Sequence, residues 1–163
     1  MNDLNFDNKG YLSKGIYEMK LTQFEEIFVT SIKSQKRQIL FKEYRRYTEE
    51  LTEILKTPFF QWIDGSFVNN QVIEPNDIDL LTIIDHEIYK LNEKAIDERF
   101  SKFSVKSFYE KIDAYTIKSY PKEHKFHEIY REDYYYWIDV YGFSRKNRAG
   151  KRSEKGFIQI NFD

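Results

Sequence analysis

The spacing of apolar residues predicts two helices in the first third of the chain. One stripe recurs at intervals of four and three residues, which is the period of a helix face. The stripe consists of Leu40, Tyr44, Tyr47, Leu51 and Ile54. Pro58 cannot continue a helix, so this helix is predicted to stop before it. Thr22 and Glu25 in LTQFEEIF have the spacing of a capping box, which predicts a shorter helix over about residues 22–29. Residues 1–20 are interpreted as loop.

The rest of the chain contains five strand-like patterns and one helix-like pattern. PFFQWID (58–64), IDLLTII (78–84) and KIDAYTI (111–117) are short and rich in β-branched or aromatic residues, which predicts strands. A helix is predicted over residues 86–100, because HEIYKLNEKAIDERF places its apolar residues on one helical side. EDYYYWIDVYGF (132–143) and GFIQINF (156–162) are predicted to be two strands of a hairpin around a polar loop.

This order of elements predicts an α/β fold of the α+β type, with a mixed β-sheet flanked by helices. The length of 163 residues suits a single domain over 1–163. We divide it into an N-terminal helical part (1–57), a set of catalytic strands (58–120) and a C-terminal hairpin (132–163).

Composition narrows the class of protein. Hydrophobic residues make up 40% of the chain, enough for a buried core, and the net charge is -1, which implies no general attraction to nucleic acid. The absence of cysteine excludes disulfides, thiolate metal sites and cysteine nucleophiles. With no signal-peptide pattern and no apolar run of about 18 residues, we expect a cytoplasmic protein without a membrane contact.

Two aspartates at the start of the second predicted strand are the main candidates for chemistry. Asp77 and Asp79 are two residues apart, so in an extended strand their side chains project from one face. Carboxylates this close repel each other unless a cation lies between them. Mg²⁺ is the natural candidate because it prefers hard oxygen ligands that it shares with substrate phosphates.

A third acid and a small-residue turn complete the candidate site. Asp113 is an acid within an apolar strand, and it joins Asp77 and Asp79 if the two strands are neighbours. Three carboxylates suit two Mg²⁺ ions, with Mn²⁺ as an alternative, in a phosphoryl transfer. Gly65 lets the backbone approach a phosphate, and Ser66 can donate hydrogen bonds to it.

The segment DGSFVNNQVIEPNDIDLL (64–81) resembles the signature of the DNA polymerase β-like nucleotidyltransferase superfamily, in which Gly-Ser precedes an Asp-x-Asp strand. Further stretches resemble small stand-alone bacterial members of the toxin–antitoxin or defence-associated type. These stretches are KGYLSKGIYEM, LTQFEEIFV, IDAYTI and YWIDVYGFSRKNRAGKRSEKGFIQI.

This resemblance implies a nucleotidyltransferase fold and a defined chemistry. Asp77, Asp79 and Asp113 would bind metal, and Gly65 and Ser66 would contact the phosphates. The superfamily transfers a nucleoside monophosphate from a nucleoside triphosphate such as ATP to an acceptor hydroxyl, releasing pyrophosphate. The acceptor stays open between a protein, a tRNA and a small molecule, and a cognate toxin or antitoxin is a candidate partner.

One departure from the resemblance concerns charge near the phosphates. Antitoxin-type members often carry Arg-Gly shortly after Gly-Ser, where this chain has Asn69 and Asn70. The basic loop RKNRAGKRSEK (145–155) is the candidate source of the missing charge, and Arg145 and Lys155, next to the strand ends, are predicted to bind the nucleotide. A solvated loop without a binding role is the alternative.

Other functions and features are weighed against this site. A catalytically inactive nucleotidyltransferase-fold binding module, such as an antitoxin or a nucleotide- or RNA-binding partner protein, is the alternative function. A glycosyltransferase is disfavoured by Gly-Ser at this offset. The aromatic run 134–137 can stack a nucleobase but is interpreted mainly as packing, and Arg37 is interpreted as a surface residue.

Overall fold

A five-stranded mixed sheet forms the centre of the computed structural model, which describes residues 4–163. The strands are β1 (Gly15–Glu18), β2 (Phe59–Asp64), β3 (Ile78–Asp85), β4 (Ile112–Ser119) and β5 (Gly156–Phe162). Their order across the sheet is β1-β5-β2-β3-β4. The β1/β5 and β3/β4 pairs are parallel, whereas β2 is antiparallel to both of its neighbours. The middle strand of the sheet is therefore β2, with β3 beside it.

Five α-helices accompany the sheet within residues 4–163. They are α1 (Leu21–Glu25), α2 (Gln35–Leu55), α3 (His86–Arg99), α4 (Val105–Phe108) and α5 (His127–Tyr141). A π-helical turn, Glu26–Thr30, extends α1. The predicted stripe of α2 is buried from Leu40 to Leu51. The helix ends at Leu55 and is followed by Lys56 in a left-handed conformation, two residues before Pro58.

Both faces of β3 are covered, as its continuous apolar sequence predicts. Ile78, Leu80 and Ile84 belong to the large core beneath α2, and Leu81 and Ile83 belong to a second core on the opposite face. The second core is completed by residues of β2, β4, β5 and α5. The sheet is thus enclosed between α2 on one side and α5 on the other.

The predicted strand over 132–143, and with it the hairpin over 132–163, is wrong. Residues 127–141 form helix α5, and only the second predicted strand, β5, is present. The inward residues of α5 recur at helical intervals and pack on the second core: Tyr130, Tyr134, Trp137, Ile138 and Tyr141. Local aromatic content favours a strand, but covering this face of the sheet requires a stripe that only a helix presents.

The remaining predictions of the fold are largely confirmed. The chain has the predicted α+β class with a mixed sheet flanked by helices. The segments predicted as 22–29, 58–64, 78–84, 86–100, 111–117 and 156–162 all form the expected type of element. Residues 1–20 are not all loop, because β1 pairs with β5. Residues 1–3 of the predicted domain lie outside the described residues, and among residues 4–163 no helix is long and apolar enough to cross a membrane.

Candidate active site

Three aspartates lie side by side across the central strands. Asp64, the last residue of β2, is paired with Asp79 of β3, and Asp79 is paired with Asp113 of β4. Paired residues on adjacent strands project from the same face, and such strands are about 5 Å apart. A row of three carboxylates therefore crosses the sheet on the face that α5 covers. Asp77 lies immediately before β3 and lines the same cavity.

The carboxylates concentrate negative charge at Asp79. Burial, followed by the charges of Asp77, Asp64 and Asp113, raises the pKa of Asp79 to about 6, and the charge of Arg145 opposes this. A carboxyl group whose ionisation is this unfavourable gains from any cation that reaches it. A cation bound at the centre of the row would therefore stabilise the ionised form of Asp79.

Lysines already accompany the two ends of the row. The Lys102 ammonium forms an ion pair with Asp113, and the Lys155 ammonium forms one with Asp64. Burial opposes the charge on Lys102, but its contacts with Asp113 and Tyr115 raise the pKa of Lys102 on balance. Lys106 lies farther away, with Nζ 4.0 Å from Asp77 Oδ2.

Gly65 brings the backbone against the central carboxylate. Its φ of +80° is left-handed, and a Cβ atom at this position would overlap the side chain of Asp79. Only glycine meets both requirements without strain. Gly65 begins a 3₁₀ turn, Gly65–Val68, and Ser66 within it lines the cavity beside the acids. The predicted Gly-Ser turn and the predicted acids therefore lie together.

Arg37 holds the loop that follows this turn and is not a surface residue. Its side chain is fully buried, contrary to the interpretation from sequence. The guanidinium donates hydrogen bonds to the carbonyl oxygens of Phe67, Asn69 and Val72 at 2.6–2.9 Å, and to that of Phe28 at 2.7 Å. One arginine thus satisfies carbonyl groups that would otherwise be buried without a partner.

Asn69 has a structural task in the same loop. Its side chain donates to the carbonyl of Lys9 at 2.9 Å and accepts from the backbone amides of Gln71 and Val72. These bonds close the loop and attach it to the N-terminal segment. The Asn69 amide carries no charge and its hydrogen bonds are used within the protein, so it supplies no positive charge to the cavity.

The two predicted basic residues differ in position. Arg145 is exposed and lines the cavity, where its charge acts on Asp79. Lys155 is buried, with its ammonium held by Asp64 and by the carbonyl of Tyr141 at 2.7 Å. Lys155 therefore joins the end of β2 to the end of α5, and its position is structural rather than that of a free phosphate contact.

A cavity of about 810 Å³ opens above the acidic row. The carboxylates and the Gly-Ser turn form one side, and Tyr136, Trp137 and Tyr141 from the last turns of α5 form the other, with Arg145 beside them. Tyr136 is 62% exposed, so the aromatic run is not only packing. The volume lies within the range typical of small-molecule sites.

The acids suit a hard divalent cation by their chemistry. Among residues 4–163, no three histidine, aspartate or glutamate side chains converge closely enough to hold a metal ion as they stand. Asp113 and Asp64 are instead engaged by lysines. Asp77 and Asp79 offer carboxylate oxygens of the kind that Mg²⁺ prefers, so they are the pair that fits such an ion best.

Sequence reasoning missed three residues of this arrangement. Asp64 directly precedes Gly65, but a single acid at the end of a strand is no signal by itself. Lys102 reaches Asp113 from a turn that carries no motif, and Arg37 has the appearance of one more charge on a helix that also bears Arg45 and Arg46. Only the pairing of strands and the packing of α2 against the loop identify them.

Comparisons with known proteins return one family. The match is to a family of unknown function, DUF6932, and it covers residues 4–161. No curated protein and no solved structure matches the chain.

Proposed function

The chain belongs to the DUF6932 family, and we propose that it is a metal-dependent nucleotidyltransferase. It would move a nucleoside monophosphate from a nucleoside triphosphate to an acceptor hydroxyl. The observation that carries this proposal is the in-register row Asp64, Asp79 and Asp113, with Gly65 against its centre. Because nucleoside triphosphates are intracellular metabolites, this donor implies that the protein acts in the cytoplasm.

The cavity is large enough for the proposed donor, and a bound divalent cation would offset the charge of the acids that line it. Asp77 and Asp79 would hold Mg²⁺, or Mn²⁺ in its place, and the turn at Gly65 and Ser66 would receive the phosphates. A bound divalent cation would neutralise phosphate charge and stabilise the leaving group. Arg145 supplies a further positive charge, and Tyr136 and Trp137 offer aromatic faces for a nucleobase, a contact worth about 1–3 kcal/mol.

The proposed reaction is an in-line displacement at phosphorus. The acceptor oxygen forms a bond to the α-phosphorus, the bond from that phosphorus to the bridging oxygen breaks, and pyrophosphate leaves. The acceptor proton passes to Asp113 or to water. Positioning of the two reactants supplies much of the acceleration. A protein, a tRNA and a small molecule all remain candidate acceptors.

Transfer of label tests the proposal directly. The protein is incubated with each α-³²P-labelled nucleoside triphosphate, Mg²⁺ and cell extract. We expect one class of macromolecule or metabolite to become labelled. Asp77→Asn and Asp79→Asn should each lower labelling at least about 100-fold, because these residues would hold the cation that neutralises the reacting phosphate. Circular dichroism should stay unchanged.

The control variant is Asp133→Asn, which removes an exposed carboxylate from α5 outside the cavity. It should retain full labelling. Full labelling by the Asp77→Asn and Asp79→Asn proteins, or none by the unmodified protein with any triphosphate, would contradict the proposal.

A binding module is the second candidate, and one observation favours it. Lysines engage Asp113 and Asp64, and Asn69 stands where antitoxin-type members often carry arginine. In this case the protein would bind a nucleotide, an RNA or a cognate toxin or antitoxin without turnover. Calorimetric binding of triphosphate with Mg²⁺, combined with the absence of labelled product, is the result expected of this alternative.

A further inference from the structure

Lys102 forms an ion pair with Asp113, the carboxylate that a second metal ion would need. It lies in the turn between α3 and α4, and its ammonium both pairs with Asp113 and sits 4.2 Å from the ring centroid of Tyr115. The side chains of Lys102 and Asp113 are only 38% and 23% exposed. This pair is therefore better shielded than the contact of Lys106 with Asp77, where the side chains are 46% and 39% exposed.

The charges at the cavity can be counted residue by residue. Four carboxylates line it, namely those of Asp64, Asp77, Asp79 and Asp113. Lys155 is paired with the first and Lys102 with the last. Asp77 has only the looser and more exposed contact with Lys106, whose Nζ lies 4.0 Å from Asp77 Oδ2, and Asp79 lies between the two paired acids. The joint charge of Asp77 and Asp79 equals that of one divalent cation.

We infer that Lys102 takes the place of a second metal ion, so that the site binds one divalent cation, on Asp77 and Asp79. This inference rests on the proposed function and specifies its metal requirement. The lysine is a compact point charge carried by the chain itself. It supplies at Asp113 the positive charge that a second ion would otherwise supply.

A second ion at Asp113 would lie beside the Lys102 ammonium, which is held on Oδ1 of the same carboxylate. Either the two cations would repel each other, or Lys102 would leave and lose both its half-buried ion pair and its cation–π contact with Tyr115. Arg145 also lines the cavity, but its charge acts on Asp79 and not on the pair of Lys102 with Asp113. The pairing of Lys102 therefore opposes double occupancy by divalent ions.

The test counts bound Mn²⁺ by electron paramagnetic resonance, with the α,β-methylene analogue of ATP present so that no turnover occurs. We expect one protein-bound Mn²⁺ per chain in the unmodified protein. Lys102→Ala should bind two, because Asp113 is released, and Lys102→Arg should again bind one, because the charge is restored.

Lys118→Ala is the matched control. Lys118 is 39% exposed, pairs with Glu93, and has its ammonium 4.0 Å from the ring centroid of Tyr89. It resembles Lys102 in surroundings, but it lies five residues along β4 from Asp113, about 16 Å away. The control should bind one Mn²⁺, like the unmodified protein.

The outcomes separate this inference from the proposed function. Two Mn²⁺ ions in the unmodified protein, or one in Lys102→Ala, would overturn the inference and leave the proposed transferase standing. No Mn²⁺ in the unmodified protein with the analogue would overturn the proposed function and the inference together. If Lys102→Ala does not fold, the count in the unmodified protein decides alone.

Discussion

Asp79 is the residue on which the charges of the cavity converge. Its position between Asp64 and Asp113 follows from strand pairing, and its pKa of about 6 follows first from burial and then from the neighbouring acids. In an unfolded chain the same carboxyl group has a pKa of 3.8. The folded metal-free protein therefore holds the proton of Asp79 to higher pH than the unfolded chain does.

The free energy of unfolding should depend on pH for this reason. Between about pH 4 and pH 6 the folded state binds more protons than the unfolded state does. The free energy of unfolding therefore falls as pH rises, by about 1.4 kcal/mol per pH unit and by about 3 kcal/mol over the whole range. Below pH 4 the contribution of Asp79 is complete, and above pH 6 no further loss follows from this group. Urea unfolding from pH 4 to 7 without metal measures the effect.

Asp79→Asn is the comparison for this measurement, because the amide does not titrate. The difference in stability between the two proteins should shrink as pH falls toward 4. A difference that is constant from pH 4 to 7 would show that Asp79 titrates normally in the folded state.

At the scale of elements, helix α2 and the loop after Gly65 form one unit through Arg37. The helix places the guanidinium beneath the loop, and four carbonyl groups from the segment before α2 and from the loop accept its hydrogen bonds. The shape of the Gly-Ser turn thus depends on a residue about 30 positions earlier in the chain. This coupling is absent from any local sequence pattern.

Arg37→Met should lower the free energy of unfolding by about 3–5 kcal/mol, because it leaves buried carbonyl groups without donors. Arg45→Met on the same helix is the control. The side chain of Arg45 is 52% exposed and pairs with Glu49 one turn away, so its loss should cost about 0.5 kcal/mol or less. Urea denaturation measures both, and equal losses would contradict the role of Arg37.

Helix α5 shows why one element was not predictable from its own residues. The run Tyr134–Trp137 consists of four consecutive aromatic residues, whose high β-propensity favours a strand. In the folded chain, Tyr134 and Trp137 contact Trp62 and Tyr115 of the sheet, while Tyr135 is 61% exposed. The need to cover the second face of the sheet overrides the local preference.

At the scale of the whole molecule, Lys155 connects the two layers that enclose the cavity. It pairs with Asp64 at the end of β2 and donates to the last carbonyl of α5. Both charges of the pair are nearly inaccessible, with side chains 7% and 10% exposed. Removal of one partner would leave the other charge buried and uncompensated.

Lys155→Met should therefore destabilise the protein by about 3–5 kcal/mol, and the double variant Lys155→Met/Asp64→Asn should recover much of that loss. Lys14→Met is the control. Its ion pair with Glu154 is exposed, at 70% and 52%, and should contribute less than about 1 kcal/mol. Chemical denaturation of the four proteins measures these differences, and no recovery in the double variant would contradict the account.

The amino-acid sequence by itself determined the class of the fold and most of its elements. Continuous apolar runs mark strands that are buried on both faces, and the stripe of α2 marks its buried side, because burial acts through local periodicity. The proximity of Asp77 and Asp79 follows from a spacing of two, and the need for glycine at position 65 is suggested by its place between a strand and the acids.

Only the tertiary structure decided what surrounds these acids. Strand pairing brings Asp64 and Asp113 to Asp79. Packing buries Arg37 and Lys155 and places Tyr136 and Trp137 of α5 at the cavity. Contacts of this kind join residues that are distant in the chain and depend on burial and charge in three dimensions. No spacing within a single segment encodes them.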